Sequence, residues 1–174
     1  MRVPYTNFKT RINDTKALGG CTFIGGEWKD VDTKDIFEGK KVVVFALPGA
    51  FTPTCSSRHL PDYESKYDEV KALGVDEVYC LSVNDSYVMN AWARDEKIEK
   101  VKMIPDGNAV FTQGMGMLVN EDKNGFGMRS WRYSMLVDDG EIVKMFEEPS
   151  KPDGSAFEVS DVDTMIKYLK ENAG

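Results

Sequence analysis

A single thiol, Cys55, lies in the stretch ALPGAFTPTCSSRHL, where the pattern of residues is that of a helix start. Thr52 followed by Pro53 is typical of an N-cap and a first helical residue. Cys55 then falls in the first turn, where unpaired backbone N–H groups and the helix dipole favour an anion. At a cysteine that anion is a thiolate, and Thr52 is close enough in sequence for its hydroxyl to reach the sulfur. The stretch therefore predicts a reactive thiol.

Ionisation of the thiol would not by itself make Cys55 a catalyst. A less basic thiolate is more abundant at neutral pH but is also a weaker nucleophile, so the net gain in rate is only about a few-fold. An enzyme must also stabilise the leaving group, and one well-placed donor can contribute about a hundredfold. We therefore expect a cation and backbone N–H groups beside this sulfur.

The other cysteines and the single histidine have less specific surroundings in the sequence. Cys80 lies among apolar residues in EVYCLSV, which favours a buried and inert thiol. Cys21 lies in the glycine-rich LGGCTFIGGEW and is either a surface thiol or a regulatory or resolving thiol. His59 has the spacing from Cys55 of a cysteine–histidine hydrolase pair. Pro61 and the lack of a third orienting group favour a structural histidine instead.

Composition excludes several classes of protein. The chain has 174 residues, of which 41% are hydrophobic and 29% are charged, and this favours one globular domain spanning residues 1–174. A net charge of −7 without a basic run argues against nucleic acid and anionic membranes as partners. The longest apolar run, VVVFAL, is too short to span a bilayer, and the N-terminal residues have no apolar signal core. We therefore expect a cytoplasmic protein with reduced thiols, and the absence of a C-x-x-C argues against a zinc knuckle or a dithiol site.

The elements around Cys55 predict a strand–helix–strand unit. The run KVVVFAL (41–47) is typical of a strand covered on both faces, and EVYCLSV (77–83) of a second one. Apolar spacings of three and four over residues 62–73 predict an amphipathic helix that ends at Gly74. Pro61 lacks an N–H and should kink the start of that helix. This strand–helix–strand order predicts that the two strands pair in parallel and are joined by a right-handed crossover.

The second half of the chain predicts a hairpin and a terminal helix. WRYSMLV and EIVKMFE flank the turn sequence DDG. Ser160 should cap a last helix, and Asn84 or Asp85 should cap the helix after the second strand. The order predicts an α/β, thioredoxin-like fold with a central mixed sheet flanked by helices. That topology does not by itself specify a function.

The residues around Cys55 resemble the peroxidatic loop of the peroxiredoxins. The family pattern of proline, three residues, threonine, two residues and cysteine is matched by Pro48, Thr52 and Cys55. Further along, CLSVND, NAW and RSWRYSMLV resemble the type-five branch, above all the peroxiredoxin portion of bacterial peroxiredoxin–glutaredoxin hybrids. The resemblance covers nearly the whole chain after its first 37 residues.

This resemblance implies a thiol peroxidase that needs no metal or organic cofactor. Cys55 would reduce hydrogen peroxide and alkyl hydroperoxides and become a sulfenic acid. Thr52 and Arg132 would hold the peroxide and stabilise the departing oxygen, and Pro48 would shield the site from water. Arg129 matches a second arginine of the family whose role is less defined.

Our expectations about recycling and assembly rest on a cysteine position of the family that is empty here and on one large apolar residue in a polar turn. The position of a C-terminal resolving cysteine in some type-five members, within PDGSAFEVSD, holds no cysteine here, and no glutaredoxin motif follows it. We expect a one-cysteine cycle reduced by glutathione and glutaredoxin, with a disulfide between Cys55 and Cys21 as the alternative. Phe51, a large apolar residue in a polar turn, together with the resemblance predicts a homodimer. The alternative from another class is a non-enzymatic thioredoxin-fold binding or chaperone module.

Overall fold

A computed structural model of the chain describes residues 1–13, 15–16, 23–24, 26–149 and 156–172. Its strands are β1 (Asn7–Ile12), β2 (Thr15–Lys16), β3 (Phe23–Ile24), β4 (Glu27–Asp32), β5 (Lys41–Ala46), β6 (Glu77–Ser82), β7 (Lys102–Pro105), β8 (Leu118–Asn120), β9 (Met128–Ser130), β10 (Tyr133–Asp138) and β11 (Glu141–Glu147). Its α-helices are α1 (Thr33–Phe37), α2 (Leu60–Ser65), α3 (Tyr67–Ala72), α4 (Ser86–Asp95), α5 (Val110–Gly114) and α6 (Val162–Glu171). A π-helical turn, Cys55–His59, precedes α2, and a 3₁₀ turn, Asp122–Asn124, lies between β8 and β9. Within these ranges, every helix is too short or too polar to cross a membrane.

The central sheet has five strands in the order β11–β10–β5–β6–β7. β5, β6 and β7 run parallel, whereas β10 is antiparallel to both β5 and β11. β5 lies in the middle and is buried from Val42 to Ala46, as expected for a strand covered on both faces. The predicted thioredoxin-like fold, with a mixed sheet and a parallel first pair, is confirmed.

Alternate residues of the sheet contribute to two hydrophobic layers. Val43, Phe45 and Cys80 face the layer that contains residues of α2, α3, α4 and α6. Val42 and Val44 face the opposite layer, which β1, α1 and α5 cover. Cys55 belongs to the same layer as Cys80, so the two thiols share one side of the sheet.

The helix predicted over residues 62–73 is divided into α2 and α3, so the prediction of one continuous helix was wrong. Lys66 lies between the two segments with φ −107° and ψ 14°, outside helical geometry. The π-helical turn ends where the Leu60 N–H bonds to the Cys55 carbonyl, five residues back. This change of helix type immediately precedes Pro61, which has no N–H to continue α-helical bonding.

The hairpin and one helix cap are confirmed, whereas the other cap is corrected. Asp139 and Gly140 both have positive φ, 48° and 82°, as a tight two-residue turn between β10 and β11 requires. Asp85 caps α4 by accepting from the Val88 N–H. The last helix is capped by Asp161, not Ser160, because the Ser160 hydroxyl donates to Glu148 instead.

Candidate active site

Cys55 lies in the first turns of the helix that follows β5. The helix begins at Pro53 as predicted, and the Thr52 carbonyl accepts its first bond, from the Ser56 N–H at 3.0 Å. The Thr52 hydroxyl donates to the Gly49 carbonyl at 2.7 Å. Its proton is therefore held by the loop, and its oxygen remains an acceptor. The Cys55 side chain is fully buried.

Arg132 supplies the cation that the sequence predicted beside the sulfur. It precedes β10, and its Nη2 donates to Cys55 Sγ at 3.3 Å across 77 positions of sequence. The residue is almost completely buried, with 3% of its surface exposed. A guanidinium remains charged at any physiological pH, so the sulfur faces a fixed positive charge in a site shielded from solvent.

His59 holds the other end of the guanidinium. Arg132 Nη1 lies 3.0 Å from His59 Nδ1, and His59 Nε2 lies 3.0 Å from the Ser160 carbonyl oxygen. An arginine can only donate and a carbonyl can only accept, so Nδ1 is the acceptor and Nε2 carries the proton. Burial, followed by the positive charge of Arg132, lowers the pKa of His59 well below its ordinary value, so the ring is neutral. A structural role for His59 is compatible with this geometry, but the sequence does not predict its contact with Arg132.

The loop between β5 and the helix is fixed from two sides. Arg129 Nη1 donates to the Pro48 carbonyl at 3.3 Å, and Asn84 accepts from the Ala50 N–H at 3.0 Å. A methyl group at Gly49 would lie 2.8 Å from Arg129 Nη1, so a larger residue there would displace the arginine from this position. The structure thus places Pro48 beside the second arginine and fixes the chain leading to Cys55.

The π-helical turn is also attached to α4. Trp92, which is fully buried, donates from Nε1 to the Ser56 hydroxyl at 3.0 Å. Ser56 directly follows Cys55, so any opening of the turn that turns the sulfur toward solvent strains or breaks this bond.

Cys80 is buried in β6, opposite Phe45 of β5. Burial, with a smaller contribution from neighbouring Cys55, raises the pKa of Cys80 well above its ordinary value. The prediction of a buried thiol is confirmed, and both cysteines of the described residues are free thiols. Cys21 lies outside the described residues.

Two contacts of this site could not be read from the sequence. The Arg132–His59 hydrogen bond joins residues 73 positions apart, and the Phe157 ring lies 5.8 Å from the Arg132 guanidinium carbon. The one available signal was the spacing of four between Cys55 and His59, which puts them on one helix face. That spacing indicates that Cys55 and His59 share a site, but it does not identify Arg132 as the residue that contacts both.

Comparison with known proteins identifies the family to which the chain belongs. The Redoxin family model matches residues 13–166. A peroxiredoxin of Synechocystis is 56% identical over 172 residues, which cover 97% of this chain and 89% of that protein. A hybrid peroxiredoxin of Haemophilus influenzae is 54% identical over 97% of this chain, which spans 64% of the hybrid's length. A solved 1-Cys peroxiredoxin, the antioxidant protein of Plasmodium falciparum, superposes with a TM-score of 0.87 at 35% identity, and 99% of each chain is covered.

A thioredoxin-like fold with a buried cysteine against a buried arginine defines a class of thiol-dependent redox proteins. The chain belongs to the Redoxin family, and within it to the peroxiredoxins of the type-five and hybrid branch. The resemblance inferred from the sequence is therefore confirmed. Peroxiredoxins are thiol peroxidases.

Proposed function

We propose that Cys55 is the peroxidatic thiol and that it reduces hydrogen peroxide and small alkyl hydroperoxides. The observation that carries this assignment is the 3.3 Å contact between Arg132 Nη2 and Cys55 Sγ. The thiolate attacks one peroxide oxygen, an S–O bond forms and the O–O bond breaks. The departing hydroxide or alkoxide takes up a proton and leaves as water or alcohol, and the sulfur is oxidised to a sulfenic acid.

The surrounding groups have complementary roles in this proposal. Arg132 donates to the sulfur in the ground state and stabilises the negative charge that develops on the leaving oxygen. Because the Thr52 hydroxyl proton is directed at Gly49, the Thr52 oxygen accepts the O–H of the incoming peroxide. Pro48, buried beside the loop, excludes water.

Reduction of the sulfenic acid requires a second thiol. We propose that glutathione condenses with it, which releases water and forms a mixed disulfide, and that glutaredoxin or a second glutathione then releases Cys55 as a thiol. The sequence resemblance to peroxiredoxin–glutaredoxin hybrids and the similarity to a 1-Cys peroxiredoxin support this cycle. The cytoplasm, where glutathione is reduced, is the compartment we propose.

Glutathione is too large to reach Cys55 in the closed site, because the sulfur is fully buried. The π-helical turn must therefore open during recycling and release the hydrogen bonds from Trp92 to Ser56 and from Arg132 to the sulfur. Hydrogen peroxide is far smaller than glutathione, so we propose that a smaller opening admits it to the sulfur while the arginine contact is kept.

We also propose that the chain forms a homodimer through the Phe51 loop. Phe51 is 53% exposed, and its φ of 63° holds the large ring at the tip of a tight turn. Val110 is 52% exposed and follows β7, whose C-terminal end lies at the same edge of the sheet as that of β5. A second copy of the chain would cover these two apolar side chains, and their removal from water would favour association.

The direct test is peroxide consumption by the purified protein with glutathione, with and without glutaredoxin, and with thioredoxin in a parallel reaction. We expect turnover that rises sharply with glutaredoxin, and one glutathione on Cys55 by peptide mass analysis after oxidation. Cys21→Ser and Cys80→Ser are the controls. Complete lack of turnover would support the binding-module alternative. A Cys55 disulfide to Cys21 or Cys80, with turnover lost in the matching serine variant, would replace the one-cysteine cycle.

A further inference from the structure

A short segment, residues 156–160, packs against the active site just before α6, and we call it the strap. One carboxylate, that of Glu148, holds it. Glu148 oxygens accept from the N–H groups of Glu158, Val159 and Ser160 and from the Ser160 hydroxyl, each at 2.8 Å. Glu148 is only 2% exposed, so these bonds are shielded from water.

The strength of this anchor comes from its charge. Burial by itself raises the pKa of Glu148, but the hydrogen bonds from the strap outweigh it and keep that pKa below the ordinary value. The carboxylate is therefore ionised at neutral pH and receives four charge-assisted donors. A buried charge that lost these donors would be strongly destabilised, so the strap and Glu148 form one unit.

The strap in turn contacts the groups that hold Cys55. The Ser160 carbonyl oxygen lies 3.0 Å from His59 Nε2, which fixes the proton on that nitrogen and leaves Nδ1 to accept from Arg132. The Phe157 ring packs edge-on against His59, with centroids 5.0 Å apart. The Glu148 backbone N–H donates to the Arg132 carbonyl at 3.1 Å. Glu148 thus connects the strap to the backbone of Arg132 as well.

We propose that Glu148 is a positioning residue for peroxide reduction, acting through the strap on His59 and Arg132. The proposal rests on the function assigned above to Cys55 and Arg132. If the strap shifts, His59 loses the acceptor that fixes its tautomer and ring orientation, and Arg132 loses the acceptor that directs Nη2 at the sulfur. The arginine then remains charged and nearby but no longer points at the reacting atoms.

The kinetic test compares Glu148→Gln with Glu147→Gln, a matched control because Glu147 is an exposed neighbour. The oxidation of Cys55 by hydrogen peroxide and its alkylation by iodoacetamide are followed separately, each over the range in which the rate no longer depends on pH. A misplaced stabilising group can cost on the order of a hundredfold, so we expect peroxide oxidation to slow at least about tenfold in Glu148→Gln. Alkylation forms no peroxide-derived oxyanion and requires only that the turn opens, so we expect it to be at least as fast in Glu148→Gln as in wild type. Glu147→Gln should match wild type in both reactions.

NMR spectroscopy of His59 tests the proposal independently of peroxide reduction. The chain has one histidine, so its imidazole NMR signals are unambiguous. We expect a slowly exchanging proton on Nε2 in the wild type, and faster exchange or mixed tautomers in Glu148→Gln. If that variant does not fold, Ser160→Ala replaces it, because this change removes one of the four donors to Glu148 and keeps the Ser160 carbonyl that accepts from His59.

Two results would overturn the proposal. One is unchanged His59 signals with unchanged peroxide kinetics in a folded variant. The other is an equal fall in oxidation and alkylation, which indicates general damage to the site. Failure of wild-type protein to react with peroxide would instead refute the proposed function, and the His59 signals would still report on the anchor.

Discussion

Cys55 and Cys80 are both fully buried, lie on the same side of the sheet and belong to one hydrophobic layer, yet their surroundings differ in two respects. Cys80 sits within a strand, opposite Phe45 of the neighbouring strand. Cys55 sits in a π-helical turn and receives a hydrogen bond from a buried guanidinium. Burial therefore does not distinguish the two thiols, whereas the local backbone and the charged partner do.

The difference has a direct chemical consequence. Burial raises the pKa of Cys80, and its sulfur is fixed by the sheet, so reaching a reagent would require the sheet to open. In the proposed function, the charge of Arg132 stabilises the reaction at Cys55, and the π-helical turn opens without disrupting the sheet. We therefore propose that the same layer holds one inert thiol, Cys80, and one reactive thiol, Cys55.

The largest effect expected from this comparison is that of removing each sulfur in turn. Cys55→Ser should abolish peroxide consumption, whereas Cys80→Ser should leave the rate of peroxide attack close to wild type. Stopped-flow measurement of peroxide loss under single-turnover conditions checks both. Retained consumption in Cys55→Ser would place the reactive thiol elsewhere.

The second effect is that of removing Arg132, the charged partner of Cys55. Arg132→Met should slow peroxide attack by about a hundredfold, because the leaving oxygen loses its stabilising donor. Arg129→Met is the control, since Arg129 bonds to the Pro48 carbonyl and not to the sulfur, and we expect it to slow the reaction less. If the rate in Arg132→Met follows the ionised fraction of the thiol and nothing more, the role given to the arginine is wrong.

The third effect tests whether the loop before Cys55 also forms an interface. Phe51→Glu should weaken self-association by roughly thirtyfold, as expected when a buried interface anchor is replaced by a charge. Analytical ultracentrifugation across a dilution series measures this change. Trp28→Glu, at another exposed aromatic residue, is the matched control. Identical sedimentation of wild type and Phe51→Glu at low concentration would exclude the proposed interface.

The smallest effect is a pH dependence of stability from His59. Burial and the adjacent Arg132 lower its folded-state pKa, so the unfolded chain binds a proton below about pH 6.5 that the folded chain does not. The contribution of neutral His59 is thus complete above that pH, and the free energy of unfolding should fall on acidification by up to about 1.4 kcal/mol per pH unit. Urea denaturation of wild type and His59→Gln between pH 7 and 5.5 measures the difference. Equal slopes in the two proteins would show that folding does not lower the pKa of His59.

Local features of the site were predictable from the sequence, whereas contacts between distant segments were not. Thr52 and Pro53 identify the position of the helix start, although the Thr52 hydroxyl bonds to the Gly49 carbonyl instead of capping the helix. The apolar run around Cys80 identifies a buried strand. The break at Lys66 depends on packing that the helical periodicity does not encode. The contact between Arg132 and Cys55 required the resemblance to a known family, because nothing near either residue in sequence specifies the other.

The strap illustrates the same limit more strongly. Glu148 looks like one of many surface carboxylates in an acidic chain, and Ser160 like a helix cap. Only the fold shows that the hydrogen-bonding capacity of Glu148 is directed at the backbone of residues 158–160. The signal for such an anchor lies in three-dimensional contacts rather than in residue spacing.

The most direct test of the account sets the two described thiols against each other within one molecule. Reduced protein receives less than one equivalent of hydrogen peroxide in the presence of dimedone, which traps sulfenic acids, and each cysteine-containing peptide is then quantified by mass spectrometry. We predict that the dimedone adduct is confined to Cys55, with Cys80 recovered as the free thiol. An adduct mainly on Cys80, or an equal division between the two, would contradict the claim that the π-helical turn and Arg132, rather than burial, determine which thiol reacts.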